Sequence, residues 1–135
     1  MPLLNVKISV PANQATTQQV ANLLTNLTHQ YLKKRREVTA VQVQYVPAHE
    51  WFIGGDALSL RDETSYSLDI KVTSGTNTKD EMKAYLQAVF DGMQNLFGRV
   101  AEASYAIVHE VRADSWGFGG PTQEARYINS GQKAL

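Results

Sequence analysis

The stretch EWFIGGDALS at residues 50–59 returns as SWGFGGPTQE at 115–124, with WFIGG matched by WGFGG. The offset between landmarks is about 65 residues, the signature of an internal repeat. Each Gly-Gly pair marks a tight hairpin. Working backwards from the first hairpin, Val41, Val43 and Tyr45 alternate with Gln42 and Gln44 as in a half-buried strand. Before it, Val20, Leu23, Leu24, Leu27 and Tyr31 fall at helical spacing, which predicts a helix from about Thr16 to Arg36 closed by the basic run KKRRE. Before that, Leu4, Val6, Ile8 and Val10 alternate with Asn5, Lys7 and Ser9. The order is strand, helix, strand, hairpin.

The same order leads to the second hairpin. Tyr66, Leu68, Ile70 and Val72 alternate with Ser67, Asp69 and Lys71, and Gly75 ends the strand. Thr78 and Glu81 fit a capping box, and Met82, Tyr85, Leu86, Val89, Phe90, Met93 and Phe97 continue as an amphipathic helix. YAIVHEV follows as a strand, and RADSWGFGGPTQEARY as a hairpin. Two strands joined by a helix run parallel with a right-handed crossover. The expected fold is therefore α/β (α+β): two tandem β-α-β units, about 1–62 and 63–130, within one domain. They form a four-stranded mixed sheet with two helices on its apolar face, plus short hairpins. The pattern does not say what covers the other face.

Composition narrows the function. Thirteen basic and thirteen acidic side chains cancel, so no nucleic-acid or anionic-membrane partner is expected. Cysteine is absent, which excludes thiolate chemistry and disulfides. No apolar run is long enough for a signal peptide or a membrane span, so a cytoplasmic location is expected. His29, His49 and His109 show no metal-ligand spacing, and neither a metal nor another cofactor is expected.

Pro2 stands directly behind the initiator methionine, ahead of the first strand. A residue without an amide donor suits a strand start. Removal of Met1 would also leave its nitrogen as a free secondary amine.

The Pro2 start in MPLLNVKISV, the duplicated unit and the two hairpins EWFIGGDALS and SWGFGGPTQEAR together resemble the tautomerase superfamily over nearly the whole chain. Each half is similar to a short subunit of 4-oxalocrotonate tautomerase. The doubled length resembles the cis-3-chloroacrylic acid dehalogenase and malonate semialdehyde decarboxylase branches, the latter especially in ADSWGFG. The resemblance implies a tautomerase/MIF-like fold, a homotrimer whose sheets face inward, and Pro2 as the catalytic group in a pocket shared between units. It implies a small-molecule enol or 2-oxo acid as substrate and Trp116 and Phe118 as pocket residues. His29 falls where the dehalogenase-like branch places a functional histidine; Trp51 and Glu110 are expected to be structural. The second half has Tyr66 or Ser67 where Pro2 stands, so it carries no second amine.

An exposed α-amine titrates near 8, and an apolar pocket or nearby cations lower it. As a base, Pro2 would move a proton in keto–enol tautomerisation, given something to stabilise the charge that develops on oxygen. Kept protonated, it would serve hydration, dehalogenation or decarboxylation as an acid. With Met1 retained, a non-catalytic oligomeric scaffold or binder is the alternative. The family's substrate-binding arginines fall on Ala12, Ala40, Thr76 and Tyr105, and the paired arginines of the other branches around Gly75 to Thr78, where there are none. Arg112 and Arg126, which bracket the second hairpin, are the candidates to replace them as a cationic clamp.

Overall fold

The computed structural model describes residues 2–129. It contains β1 (Leu3–Ile8), α1 (Gln14–Leu32), β2 (Ala40–Tyr45), β3 (Phe52–Ile53), β4 (Asp56–Ala57), β5 (Tyr66–Thr73), α2 (Lys79–Phe97), β6 (Tyr105–Val111) and α3 (Gln123–Asn129). The main sheet has the order β2-β1-β5-β6. β1 pairs parallel with β2, β5 parallel with β6, and the two units join through the antiparallel pair β1 and β5. This is the four-stranded mixed sheet expected from the repeated unit.

Period-two patterning places Leu4, Val6 and Ile8 of β1 beside Ile70, Leu68 and Tyr66 of β5, all buried on one face. Val20, Leu24 and Leu32 of α1 and Tyr85, Val89 and Met93 of α2 complete that core, so both helices cover the same side. Asn13 caps α1 by accepting from the Thr16 amide, and the Thr78–Glu81 capping box opens α2 as its spacing predicts. Thr28 and Tyr85 share a buried hydroxyl–hydroxyl hydrogen bond of 2.9 Å between the helices.

Three boundaries differ from the sequence reading. β1 ends at Ile8 instead of reaching Val10: the Ser9 amide still donates to the Ser65 carbonyl at 3.2 Å, but the Ser65 amide donates to the Ser9 hydroxyl at 2.9 Å and not to a backbone carbonyl. α1 stops at Leu32, not Arg36: Lys33 adopts φ 60° and breaks the helix inside the basic run. The second hairpin is shorter than RADSWGFGGPTQEARY, for its distal part is the helix α3. Both hairpins close through two glycines of positive φ, Gly54 (62°) and Gly55 (85°), then Gly119 (63°) and Gly120 (113°). A two-residue turn that follows the strands' twist needs such angles at both positions.

The two faces of the sheet also differ from a simple apolar/polar division. On the face away from the helices β1 carries Asn5 and Lys7 and β5 carries Ser67, Asp69 and Lys71, but β6 carries Tyr105 and Ile107, 66% and 51% exposed. Alternation in YAIVHEV is thus between apolar residues on both sides. His109 lies on this open face and meets the Asp69 carboxylate at 2.8 Å.

Burial pushes the phenols of Tyr66 and Tyr85 up to about 12; Asp91 adds to the shift at Tyr66, and the Thr28 hydroxyl opposes it at Tyr85. Unfolded tyrosine titrates near 10, so above that pH the unfolded chain loses its phenolic protons first. This contribution to stability is fully present below about pH 10 and is lost as pH rises toward 12, at most roughly 2 to 3 kcal/mol per tyrosine. The urea midpoint is expected to fall clearly between about pH 9 and about pH 11. An unchanged midpoint would contradict the burial of both hydroxyls.

Candidate active site

Pro2 is buried at the head of β1, a central strand, and its carbonyl accepts from the Ala40 amide at 3.2 Å. The proline suits this position because the residue needs no ladder bond of its own there. The pairing of Leu3 with both Ala40 and Lys71 fixes what lies at this end of the sheet: the start of β2, with the carboxyl end of α1 leading into it, and the finish of β5. β6 finishes there too, since Thr73 pairs with Val111 and the Ser74 amide donates to the Val111 carbonyl at 2.8 Å. The second hairpin therefore leaves the sheet at the Pro2 end. The first leaves from the opposite end, where Ile8 pairs with Tyr45 and Tyr66.

Topology thus gathers Pro2, the His29 end of α1, Arg112 and the Trp116 hairpin at one end. Their individual surroundings vary. His29 is exposed, and its Nδ1 lies 2.9 Å from the Lys34 carbonyl, on an open groove with Asn26, Gln30, Lys33 and Arg36. Arg36 is bonded to the Asn26 side chain. Arg112 is exposed and paired with Asp114 at 2.6 Å, which raises the guanidinium's already high pKa and lowers that of the carboxyl. This pair engages the arginine at the surface. Arg126 belongs to α3, with its guanidinium 4.2 Å from the centre of the Phe118 ring. Trp116 is half-buried, and Phe118 is exposed.

Lys34 was not anticipated. A four-cation run reads as a solvated helix end, yet Lys34 is only 9% exposed. The left-handed turn at Lys33 redirects the chain, and the Lys34 ammonium then donates to the Thr76 hydroxyl at 2.8 Å. Thr76 in turn donates to the carbonyl of Thr73, the last residue of β5, which places this cation at the Pro2 end of the sheet. Burial lowers the lysine's pKa, against the opposing pull of Glu81. A partly desolvated ammonium interacts more strongly with a developing negative charge than a hydrated one. Nothing in the local composition marks Lys34 apart from Lys33, Arg35 or Arg36; the difference arises from one backbone angle.

Among the described residues there is no cluster of three or more His, Asp or Glu side chains that could hold a metal ion. No helix among them is long and apolar enough to cross a membrane.

The doubled β-α-β sheet with both helices on one face is the tautomerase fold. It superposes on a native fused 4-OT with a TM-score of 0.80 at 18% identity, over 91% of this chain and 97% of that one. A fused 4-OT that forms a symmetric trimer gives 0.80 at 14% identity, over 92% and 98%. Pt0534, whose structure was obtained inactivated by 2-oxo-3-pentynoate, gives 0.79 at 11% identity, over 91% and 98%. At these identities the likeness is one of fold. No protein-family model and no curated protein matches the sequence.

Proposed function

We propose that the chain is a keto–enol tautomerase in which Pro2, freed by removal of Met1, acts as general base on a small enol or 2-oxo acid. The observation that carries this reading is the position of Pro2: buried at the head of a central strand, at the sheet end shared with Lys34 and the Trp116 hairpin. An apolar pocket around the freed amine would favour its uncharged form and so its use as a base near neutrality. The amine would take a proton from carbon beside a carbonyl and return it elsewhere on the enol. Lys34 would stabilise the oxygen on which charge develops, which supplies a cation in place of the absent arginines. Assembly as a homotrimer is part of the proposal, supported by the trimeric state of one fused 4-OT of the same fold.

Intact-mass measurement of the native protein is the first test: Met1 is expected to be absent. Treatment with 2-oxo-3-pentynoate, the inactivator of Pt0534, is then expected to add one adduct per chain at Pro2 and abolish turnover of phenylenolpyruvate. Retention of Met1 in the native protein, or full turnover after modification of Pro2, would overturn the assignment.

Lys34→Met tests the cation separately. The substitution keeps the apolar stem of the side chain, one atom shorter than lysine, and removes a buried charge, so the variant is expected to melt no lower than the native protein. Its kcat/KM for an enol acid is expected to fall roughly tenfold to a hundredfold, the scale of one charge-assisted hydrogen bond. Unchanged kinetics would assign Lys34 a purely structural place.

A further inference from the structure

The two hairpins share a backbone but not a chemistry. In the first, the Leu58 amide donates to the Trp51 carbonyl at 2.8 Å; in the second, the Gln123 amide donates to the Trp116 carbonyl at 3.0 Å. The pairing of Gly117 with Thr122 and the bond from the Phe118 amide to the Pro121 carbonyl extend the same ladder. Trp116 and Gln123 are therefore directly opposed cross-strand neighbours, whose side chains project from one face. Leu58 is 1% exposed and apolar, as such a buried position requires. Its counterpart Gln123 is 9% exposed and polar.

That glutamine is not satisfied by the fold. Among the described residues, neither its Nε2 nor the indole Nε1 of Trp116 has a hydrogen-bond partner, and both nitrogens are buried. Arg126 fixes the amide's orientation: its Nη1 donates to Gln123 Oε1 at 3.4 Å, so a flipped amide would turn its own N–H groups toward a guanidinium. Arg126 also lies over Phe118, two residues along the same face as Trp116. Two buried N–H donors and a guanidinium thus share one side of this hairpin. Each unpaired buried donor is destabilising, and the first hairpin shows that leucine serves the backbone equally well.

We infer that this face of the second hairpin is a carboxylate-binding site, with Trp116 Nε1 and Gln123 Nε2 donating to the carboxylate oxygens and Arg126 supplying the charge. A bridging water would satisfy the two donors but bring two protons of its own, whereas a carboxylate only accepts. An anion seated there would let Arg126 exchange its long bond to the neutral Gln123 amide for an ion pair. The site does not depend on Pro2 acting as a base.

The test follows the indole N–H resonance of Trp116 in the ¹⁵N-labelled full-length protein, identified through Trp51→Phe. Titration with butanoate is expected to shift it downfield and saturate. Butanamide and an equal concentration of chloride are expected to leave it in place. Gln123→Leu, which installs the residue of the first hairpin, is expected to weaken binding about tenfold, one hydrogen bond's worth, while raising the melting temperature of the unliganded protein. Arg126→Gln is expected to weaken it at least as much. A Pro2→Ala protein is expected to titrate like the native one, so loss of the tautomerase reading would leave this result standing. An unresponsive Trp116 resonance would overturn the site and show its donors to be met by water or a neighbouring copy. An equal response to chloride, or native titration by Gln123→Leu, would overturn it as well.

Discussion

A Pro2→Ala chain that has lost Met1 is expected to turn over phenylenolpyruvate slower than the native chain by a factor on the order of a hundred or more, the usual scale for a general base. The variant keeps an amine at its terminus, so the prediction concerns placement and basicity. The proline ring fixes φ and holds the nitrogen in one direction, whereas an alanine amine rotates freely and solvates more readily. The backbone anchor survives, because the bond from the Ala40 amide goes to the carbonyl of residue 2 and not to its side chain. Folding and assembly should therefore be unchanged, and the loss should fall on kcat more than on KM. The native rate should rise with pH through the titration of the amine, since the neutral form is the base. Intact mass must establish removal of Met1 in both proteins before rates are compared. Near-native turnover by the processed variant would remove Pro2 from the mechanism.

Much of the architecture was legible because the chain states it twice. The alternation of Leu4, Val6 and Ile8 recurs in Tyr66, Leu68, Ile70 and Val72, and all seven residues are buried in one core. What escaped the pattern depends on single backbone angles or on contacts distant in sequence. The φ of Lys33 ends α1 early and turns Lys34 inward, and no composition rule singles out one lysine in KKRRE. Gln123 carries no mark of its own in the hairpin sequence; its burial follows from the turn at Gly119–Gly120 that sets it opposite Trp116, where α3 begins. Comparison of the two halves position by position carries a signal here, since Leu58 marks the equivalent site as interior. Arg112 shows the opposite case. A bracketing arginine is easy to see in sequence, but its engagement by Asp114 two residues away is settled only by the local turn.

The open face of the sheet carries the other large expectation, that Ile107→Asp converts a trimer into monomers and abolishes turnover. In the single chain Tyr105 and Ile107 stand exposed on β6, an edge strand, beside a face otherwise occupied by Lys7, Asn5, Ser67, Asp69 and Lys71. Two large apolar side chains in adjacent outward positions on one edge are suited to burial against another copy, and polar residues inward of them suit a wetter centre. Ile107 pairs in register with Asp69, so an aspartate there places like charges side by side and strips the contact of its apolar anchor. A loss of about 2 kcal/mol at such an anchor is repeated at every contact of a closed ring, and the trimer therefore fails at concentrations where the native protein holds. The fold of each chain should survive, because Ile107 lies outside the helix-covered core. Sedimentation is expected to report a trimer for the native protein and a monomer of native circular dichroism for the variant. A pocket completed by a neighbouring copy would lose activity in step with assembly, so turnover measured across a dilution series should follow the trimer fraction. A native protein that sediments as a stable monomer would remove the trimer and the shared pocket together, whereas a monomeric Ile107→Asp chain with full turnover would place the whole site within one chain.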